Sequence, residues 1–329
     1  MANLQAKSQA VSVAVPQEKS RKRSIWASPM RRREAIDGFV FIMPWLLGFL
    51  IFTFWPFIAG FYYSLTEFDV LTPPQWVGLG NYQAILHDRK AMLAVTNTLW
   101  YVFFSVVPAN IIALLLALLL NLKVRGITVF RTLFYIPSIV PAVASVALFI
   151  YIMHDRFGLL NDFLFRVFGI TGPGWLTSPQ WAKPSLVLWS LWGVGGSMII
   201  YLAGLQGIPQ QLYEAAQIDG AGNLRRFWHI TIPMVSPTIL FVFTLTVIGS
   251  FQIFTPVLLL GGNYAMANAG PMDSLLFWVV YIYHQGFFYF QMGYGSALAW
   301  LLFIVLVVVT VTQFKVADRF VYYEGDTRQ

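Results

Sequence analysis

The sequence predicts an all-α integral membrane protein whose chain crosses a lipid bilayer six times. Hydrophobic residues make up 58% of the 329 residues and charged residues only 11%, whereas soluble domains carry about 25% charged residues. The 21 basic and 14 acidic side chains are too few to cover a soluble surface of this size. The 29 Phe, 15 Tyr and 12 Trp exclude a disordered chain.

Six uncharged apolar stretches are each long enough to cross a hydrocarbon core, which takes about 20 residues of helix. The predicted spans are 38–65, 96–121, 132–153, 185–207, 237–260 and 295–314. Prolines interrupt most of them. Kinked helices suit a bundle that encloses a pathway and changes shape, although proline is also common in membrane helices generally.

The distribution of basic residues predicts the orientation of the chain. The segment 1–37 holds eight Lys or Arg, and the following apolar run of 28 residues exceeds the roughly 7–15 residues of a signal-peptide core. We therefore interpret 1–37 as a basic cytoplasmic tail. With the tail inside, 16 of the 21 basic residues fall in the inner segments 1–37, 122–131, 208–236 and 315–329. The positive-inside rule then predicts that both termini are cytoplasmic.

The aromatic-rich segment 274–290 is too short and too polar around His284 and Gln285 to be a seventh span. A seventh span would also place the basic residues of the C-terminal tail 315–329 on the outer side. We predict instead a helix that lies at the outer membrane interface.

The long polar segment 208–236 predicts a helix–turn–helix hairpin. Pro209 suits the first turn of a helix, and Asp219-Gly220 gives a tight turn. A second helix is predicted from about Asn223, a plausible N-cap, to Ile230, and Pro233 is predicted to end it.

This hairpin resembles the EAA loop of permease subunits in bacterial binding-protein-dependent ABC importers. The matching residues are Glu214, Ala215, Ala216, Asp219, Gly220, Ala221, Phe227, Ile230 and Pro233, with Ile232 where the family commonly has Leu. Over most of 38–320 the chain looks like the carbohydrate-uptake subfamily, which is similar to the maltose, lactose and glycerol-phosphate permeases. Gly78-Leu79-Gly80-Asn81-Tyr82 and Ser250-Phe251-Gln252 are among the residues that carry this likeness.

The resemblance implies a six-helix permease core, 38–314, with cytoplasmic coupling helices, in a multi-pass protein of the bacterial plasma (inner) membrane. It also implies a second permease subunit, two copies of a cytoplasmic ATP-binding subunit and an extracytoplasmic solute-binding protein as partners. In this family the hairpin docks in a cleft of the ATPase. Glu214 would supply ion pairing or stabilise the helix start, Ala215 and Ala216 would permit close approach, and Phe227 and Ile230 would anchor the second helix. Without the resemblance, a merely solvated surface hairpin is the alternative.

The sequence favours a transport subunit over an enzyme and predicts no cofactor in this chain. It contains no Gly-x-x-x-x-Gly-Lys-[Ser/Thr] motif, so ATP and Mg would be bound by the partner ATPase subunits. There are no cysteines, and the four histidines are scattered without carboxylate or histidine partners at ligand spacing. A metal site and an acid–base pair are therefore not predicted.

The predicted spans contain no Asp, Glu, Lys, Arg or His, which argues against a proton relay or a charged substrate. Uncharged polar and aromatic groups suit a neutral sugar or oligosaccharide, and by resemblance the fifth span contributes to the site. The alternatives are helix-packing roles for the same residues, import of glycerol-3-phosphate or another polyol, and a multispan membrane enzyme or secondary transporter. The candidate substrate-path residues are Ser250, Phe251, Gln252, Asn97, Trp192 and Tyr201.

Overall fold

The computed structural model describes residues 29–122, 124–261 and 269–321. The predicted N-terminal tail 1–37 is therefore described only from Pro29, and the C-terminal tail 315–329 only as far as Val321. The chain divides into two compact units, 1–58 and 59–329.

The first unit consists of helix α1, Pro29–Phe49, a π-helical turn, Leu50–Phe54, and the start of α2, Trp55–Ser64. Arg32–Ser64 is continuous and long and apolar enough to cross a membrane. The helix begins ahead of the predicted span 38–65 because backbone hydrogen bonding continues past the edge of the apolar run. Pro44 lies inside α1 without ending it.

The second unit begins with a two-stranded antiparallel sheet and a long helix. Strands β1, Thr66–Glu67, and β2, Gln75–Trp76, pair Thr66 with Trp76, and helices α3, Gly80–His87, and α4, Arg89–Leu120, follow. The Asp88 side chain caps α4 by accepting from the backbone N–H of Lys90 at 2.8 Å. The Arg131 guanidinium donates to the carbonyl of Leu120 at the other end, at 2.8 and 3.2 Å. An anion at the N-terminus and a cation at the C-terminus both stabilise the helix dipole.

Two of the predicted spans are broken helices. Helices α5, Ile127–Ile139, and α6, Ala142–Ile152, meet at an angle of 96°. After α7, Leu159–Phe168, the helices α8, Pro179–Trp192, and α9, Gly195–Gln206, are bent by 45°. The predicted spans 132–153 and 185–207 each fall on one of these bent pairs. Pro141 cannot donate a backbone hydrogen bond at the first break.

The 208–236 hairpin consists of α10, Gln210–Ile218, and α11, Asn223–Arg226, which leads through a π-helical turn, Phe227–Thr231, into α12, Ile232–Phe251. The prediction that Pro233 ends the second helix is wrong, because Asn223–Phe251 is one long helix. Pro233 lies in the first turn of α12, where the preceding π-turn accommodates its missing N–H.

The last part of the chain contains α13, Thr255–Leu260, a 3-10 turn, Pro271–Asp273, α14, Trp278–Tyr283, a π-helical turn, His284–Phe288, and α15, Met292–Ala317. The predicted span 237–260 is wrong at its end, because the helix stops at Phe251 and the chain turns before α13. Within the described residues, four helices are long and apolar enough to cross a membrane, or six if each bent pair is one span.

Most of the segment 274–290, which the sequence predicts as a helix at the outer membrane interface, is buried among other parts of the chain. Leu275, Leu276 and Phe277 are 0–2% exposed and belong to the main core cluster. Their non-helical backbone is hydrogen-bonded by α4, because Asn97 Nδ2 donates to the carbonyls of Asp273 and Leu276, both at 3.1 Å. Only 287–290 is exposed. Irregular backbone can be buried in a membrane bundle when neighbouring helices satisfy it in this way.

Asp88 joins three elements at one end of the bundle. Its Oδ2 accepts hydrogen bonds from the hydroxyl of Tyr281 in α14 and from that of Tyr294 in α15, the latter at 2.7 Å. Partial burial acts to raise the pKa of Asp88, but the hydrogen bonds from Tyr281, Tyr294 and the Lys90 N–H outweigh it and lower the pKa below 3.8. The ionised carboxylate therefore stabilises the folded state.

We expect Asp88→Asn to lower the thermal stability of the detergent-solubilised protein, by about 1–3 kcal/mol for a charged hydrogen-bond acceptor. Because the folded-state pKa is depressed, this contribution is present above pH 3.8 and is lost as the pH falls through the lowered pKa. Thermal melts at several pH values measure both effects. Asp162→Asn is the control, since its pair with Arg166 is exposed and worth little. Equal melting temperatures for the two variants would contradict the role of Asp88.

Candidate functional site

Three interruptions of the helices meet at one cavity of about 430 Å³. Ala142 lies at the break between α5 and α6, Gly193 and Val194 form the bend between α8 and α9, and Gln252 begins the turn after α12. Non-helical backbone at membrane depth is tolerated where it is buried in protein or lines a water-filled cavity. The convergence of three breaks therefore marks this cavity as the candidate site.

The wall of the cavity is polar but uncharged. Hydroxyl groups and one amide are interspersed with aromatic rings, and none of the described residues that line it is charged. Within the described part of the chain, Ser105 Oγ is buried without a hydrogen-bond partner. The polar and aromatic residues that line the cavity are Tyr101, Ser105, Trp189, Ser190, Ser197, Thr246, Ser250, Gln252, Phe254 and Thr255.

Trp189 lines both this cavity and a smaller one of about 210 Å³, together with Ala142, Ser190 and Gly193. The indole N–H of Trp189 donates to Ser145 Oγ at 3.0 Å, which fixes the orientation of the ring. A fixed aromatic face beside hydroxyl groups can stack against the C–H face of a sugar ring while those groups bind its hydroxyls.

The six candidate substrate-path residues do not line one common cavity in the structure. Ser250 and Gln252 line the main cavity, and Trp192 lines the smaller one. Phe251 points away from the cavity, since it is 3% exposed and packs in a core cluster with Val247 and Trp278.

The two remaining candidates hold the bundle together. Tyr201 is 1% exposed, and its hydroxyl donates to Asn110 Oδ1 at 2.6 Å. Asn110 Nδ2 in turn donates to Oγ1 of Thr246, which lines the cavity, at 2.8 Å, so Tyr201 lies behind the wall. Asn97 holds the 273–276 turn and accepts a hydrogen bond from Lys183 Nζ at 3.1 Å.

Three further lining residues, Ser105, Thr246 and Gly249, are not among the candidates that the sequence suggests, and Trp189 is not among the six chosen from it. Thr246 and Gly249 lie four and one residues before Ser250, so helical periodicity places Thr246 on the same face of α12 as Ser250. That signal was available in the sequence. Ser105 and Trp189 come from α4 and α8, and only the tertiary structure brings them to α12.

Gly220 ends helix α10 of the 208–236 hairpin in a left-handed conformation, with φ +76°. The N–H of Gly220 donates to the carbonyl of Gln217 at 3.1 Å, and the N–H of Ala221 donates to that of Ala216 at 2.9 Å. This pair of bonds is a Schellman motif, in which the left-handed position favours glycine. The motif sets the direction in which the chain leaves Asp219.

The two arms of the hairpin are joined at their base and exposed at their tip. Tyr213 Oη lies 2.9 Å from Thr231 Oγ1, and Ile230 packs against the core cluster that contains Val235. Phe227 is half-buried and packs edge-on against Trp228. Pro233 occupies the first turn of α12.

The tip presents apolar side chains to the surroundings. Ile218, Leu224 and Trp228 are 87%, 73% and 59% exposed, and Glu214 and Ala215 are exposed beside them. Exposed apolar side chains grouped on a polar segment mark a surface for contact with another protein.

The sequence matches the family of binding-protein-dependent transport system inner membrane components over residues 109–321. The chain belongs to this family. Family members are multi-pass membrane components of transporters and not enzymes. Within the described residues, no group of three or more His, Asp or Glu could hold a metal ion.

Curated relatives match the chain over nearly their whole length. The probable ABC transporter permease protein YesP of Bacillus subtilis is 36% identical over 295 residues, covering 89% of this chain and 94% of the relative. The arabinooligosaccharides transport system permease protein AraP of the same organism is 33% identical, with 93% and 96% covered. The lactose transport system permease protein LacF of Rhizobium radiobacter is 34% identical, with 88% and 97% covered.

A solved structure shows the same fold. One chain of a bacterial ABC transporter involved in import of the acidic polysaccharide alginate superimposes with a TM-score of 0.75. The match covers 90% of this chain and 100% of that chain, at 22% sequence identity.

Proposed function

We propose that this chain is a permease subunit of an ATP-driven importer and forms, with a second permease, the path for a neutral sugar or oligosaccharide. The chain crosses the membrane six times, counting each bent helix pair as one span, and the six-span permease domain is 38–314. Both termini, 1–37 and 315–329, are cytoplasmic, in agreement with the 16 of 21 basic residues on that side.

The observation that carries this proposal is the uncharged cavity at the meeting point of three helix breaks. Its hydroxyl and amide groups can bind sugar hydroxyls, and Trp189 offers an aromatic face. A phosphate ester such as glycerol-3-phosphate would call for a cationic side chain, and the described lining residues include none. Several relatives carry names of transport systems for arabinooligosaccharides, lactose and trehalose/maltose, which supports a saccharide substrate.

The 208–236 hairpin couples ATP hydrolysis by the partner subunits to movement of the membrane spans. Its exposed tip docks in a cleft of a cytoplasmic ATP-binding subunit, with two copies of that subunit serving the two permeases. The long helix Asn223–Phe251 links the hairpin directly to Ser250 at the cavity, so a rigid movement of one end displaces the other. ATP and Mg belong to the ATPase subunits, and this chain has no cofactor. An extracytoplasmic binding protein delivers the sugar.

Reconstitution in liposomes tests the proposal. We expect uptake of radiolabelled sugar only when this chain, the second permease, the ATPase, the binding protein and ATP are all present, and we expect the ATPase to co-purify with this chain. Solute movement by this chain alone without ATP would indicate a secondary transporter. Chemical conversion of the solute would indicate a membrane enzyme.

A further inference from the structure

An apolar groove of about 380 Å³ lies between α12 and α15, apart from the transport cavity and sharing no lining residue with it. It opens where α12 begins and α15 ends. Apolar side chains form most of its walls. The lining residues are Ser236, Ile239, Leu240, Phe243, Thr312, Gln313, Val316, Ala317, Phe320 and Val321.

The hydroxyl groups of the lining are bonded within their own helices, whereas Oε1 of the one lining amide, Gln313, is buried without a hydrogen-bond partner. Most of the groove surface is therefore apolar, with one amide oxygen. Ser236 Oγ donates to the carbonyl of Pro233 at 2.6 Å, and Thr312 Oγ1 donates to that of Val308 at 2.7 Å. A hydroxyl that already donates to backbone adds little polarity to a groove.

The length of the groove is about two thirds of one leaflet of a bilayer. At a helical rise of 1.5 Å per residue, the lining from Ser236 to Phe243 extends about 10 Å along α12. The hydrocarbon core of a bilayer is about 30 Å thick, so one leaflet contributes about 15 Å. An acyl chain that enters the groove at Phe320 can therefore lie along it for a large part of the leaflet.

The exposed lip of the groove on α15 carries positive charge. Thr312, Val316 and Phe320 form this lip, and Phe320 is 77% exposed. Lys315 and Arg319 are exposed and follow Thr312 and Val316 by three residues, which makes them neighbours of the lip on the helix surface.

The acid on the same turn, Asp318, follows Lys315 by three residues and so lies beside it on the helix surface. Lys315, Asp318 and Arg319 together still leave one net positive charge beside the lip. A basic residue near a membrane surface attracts anionic lipids by about 1 kcal/mol.

We propose that the groove between α12 and α15 binds one acyl chain of an anionic phospholipid, whose phosphate is held by Lys315 and Arg319. The apolar walls supply the affinity for the chain, and the two cations supply the preference for a negative head group. A zwitterionic lipid of equal chain length enters the same groove but gains less at the lip.

Native mass spectrometry of the full chain in mild detergent, titrated with phosphatidylglycerol or phosphatidylcholine of equal chain length, tests this assignment. We expect phosphatidylglycerol to bind at least about tenfold more tightly, equivalent to about 1.4 kcal/mol. Lys315→Gln with Arg319→Gln removes this preference, whereas Arg125→Gln, in another basic segment, leaves it unchanged. Ala317→Phe fills the groove and reduces binding of both lipids, whereas Val308→Phe, on α15 outside the groove, does not.

A crosslinking experiment distinguishes lipid from protein as the occupant, even if Ala317→Phe fails to fold. Because the chain has no cysteine, a single Leu240→Cys can carry a photo-crosslinker into the groove in native membranes. An adduct with the mass of a phospholipid supports the proposal. An adduct with another protein chain, or equal binding of the two lipids by the wild-type chain, overturns it. Neither readout depends on transport activity, so failure here leaves the proposed import function untouched.

Discussion

Replacing Gly220 with proline is expected to abolish ATP-driven uptake while leaving the chain inserted in the membrane. Proline fixes φ near −65°, whereas residue 220 has φ +76°. Proline also removes the N–H that donates to the carbonyl of Gln217. The direction of the chain after α10 would change, and the exposed Ile218 and Leu224 could no longer meet the ATPase together. Uptake should fall at least about 100-fold, equivalent to about 2.7 kcal/mol of activation free energy.

Two further substitutions at the same position separate the effect of backbone conformation from the effect of adding a side chain. Asn tolerates the left-handed conformation at a helix end, so Gly220→Asn should retain most of the uptake. Gly220→Ala should be intermediate, since the left-handed conformation costs an ordinary residue about 1–2 kcal/mol. Uptake by proteoliposomes and pull-down of the ATPase measure the series. If the proline variant transports at the wild-type rate, the coupling role of the hairpin is wrong.

The hairpin shows how far local sequence determines structure. Pro209 before a helix and Asp219-Gly220 after it are local signals, and α10 and its turn lie where they were predicted. Pro233 is also a local signal in the sequence, for the end of a helix, yet the helix continues through it because a π-turn precedes it. Whether a membrane helix tolerates a proline depends on the surrounding backbone, and the sequence does not report that.

The breaks in the spans illustrate the same limit. Pro141 stands at the 96° break, but Pro108 and Pro184 lie inside unbroken helices. The bend between α8 and α9 contains no proline and falls at Gly193 and Val194. Proline therefore predicts that some helices are interrupted, while the positions of the interruptions follow from how the helices pack around the cavity.

The substrate path could be predicted only in part. Ser250 and Gln252 are polar residues in an apolar span, and they line the cavity. Asn97 has the same sequence signature, yet its amide holds the buried 273–276 turn. A polar side chain in a membrane span can face a cavity or satisfy irregular backbone. The distinction requires the contacts between α4 and the segment 274–286, which are about 180 residues apart in sequence.

Filling the cavity is expected to stop transport without disturbing the fold, and Gly249 offers the position to do so. It lines the cavity, and a Cβ added there meets no heavy atom within 4 Å. Its helical conformation accepts any L-residue except proline, and replacing glycine in a helix interior gains several tenths of a kcal/mol or more. The indole of Gly249→Trp would therefore enter open space and occupy much of the volume bounded by Ser105, Trp189 and Gln252.

We expect Gly249→Trp to reduce sugar uptake at least about 100-fold, about 2.7 kcal/mol, while membrane insertion, ATPase association and basal ATP hydrolysis stay close to wild type. Gly249→Ala tests the loss of glycine itself and should transport normally. Phe241→Trp places the same ring two turns earlier on α12, at an exposed position that does not line the cavity, and should also transport. Normal uptake by Gly249→Trp would place the sugar path elsewhere. An equal loss of uptake in all three variants would show that α12 tolerates no change. Only a loss confined to Gly249→Trp can come from occlusion of the cavity.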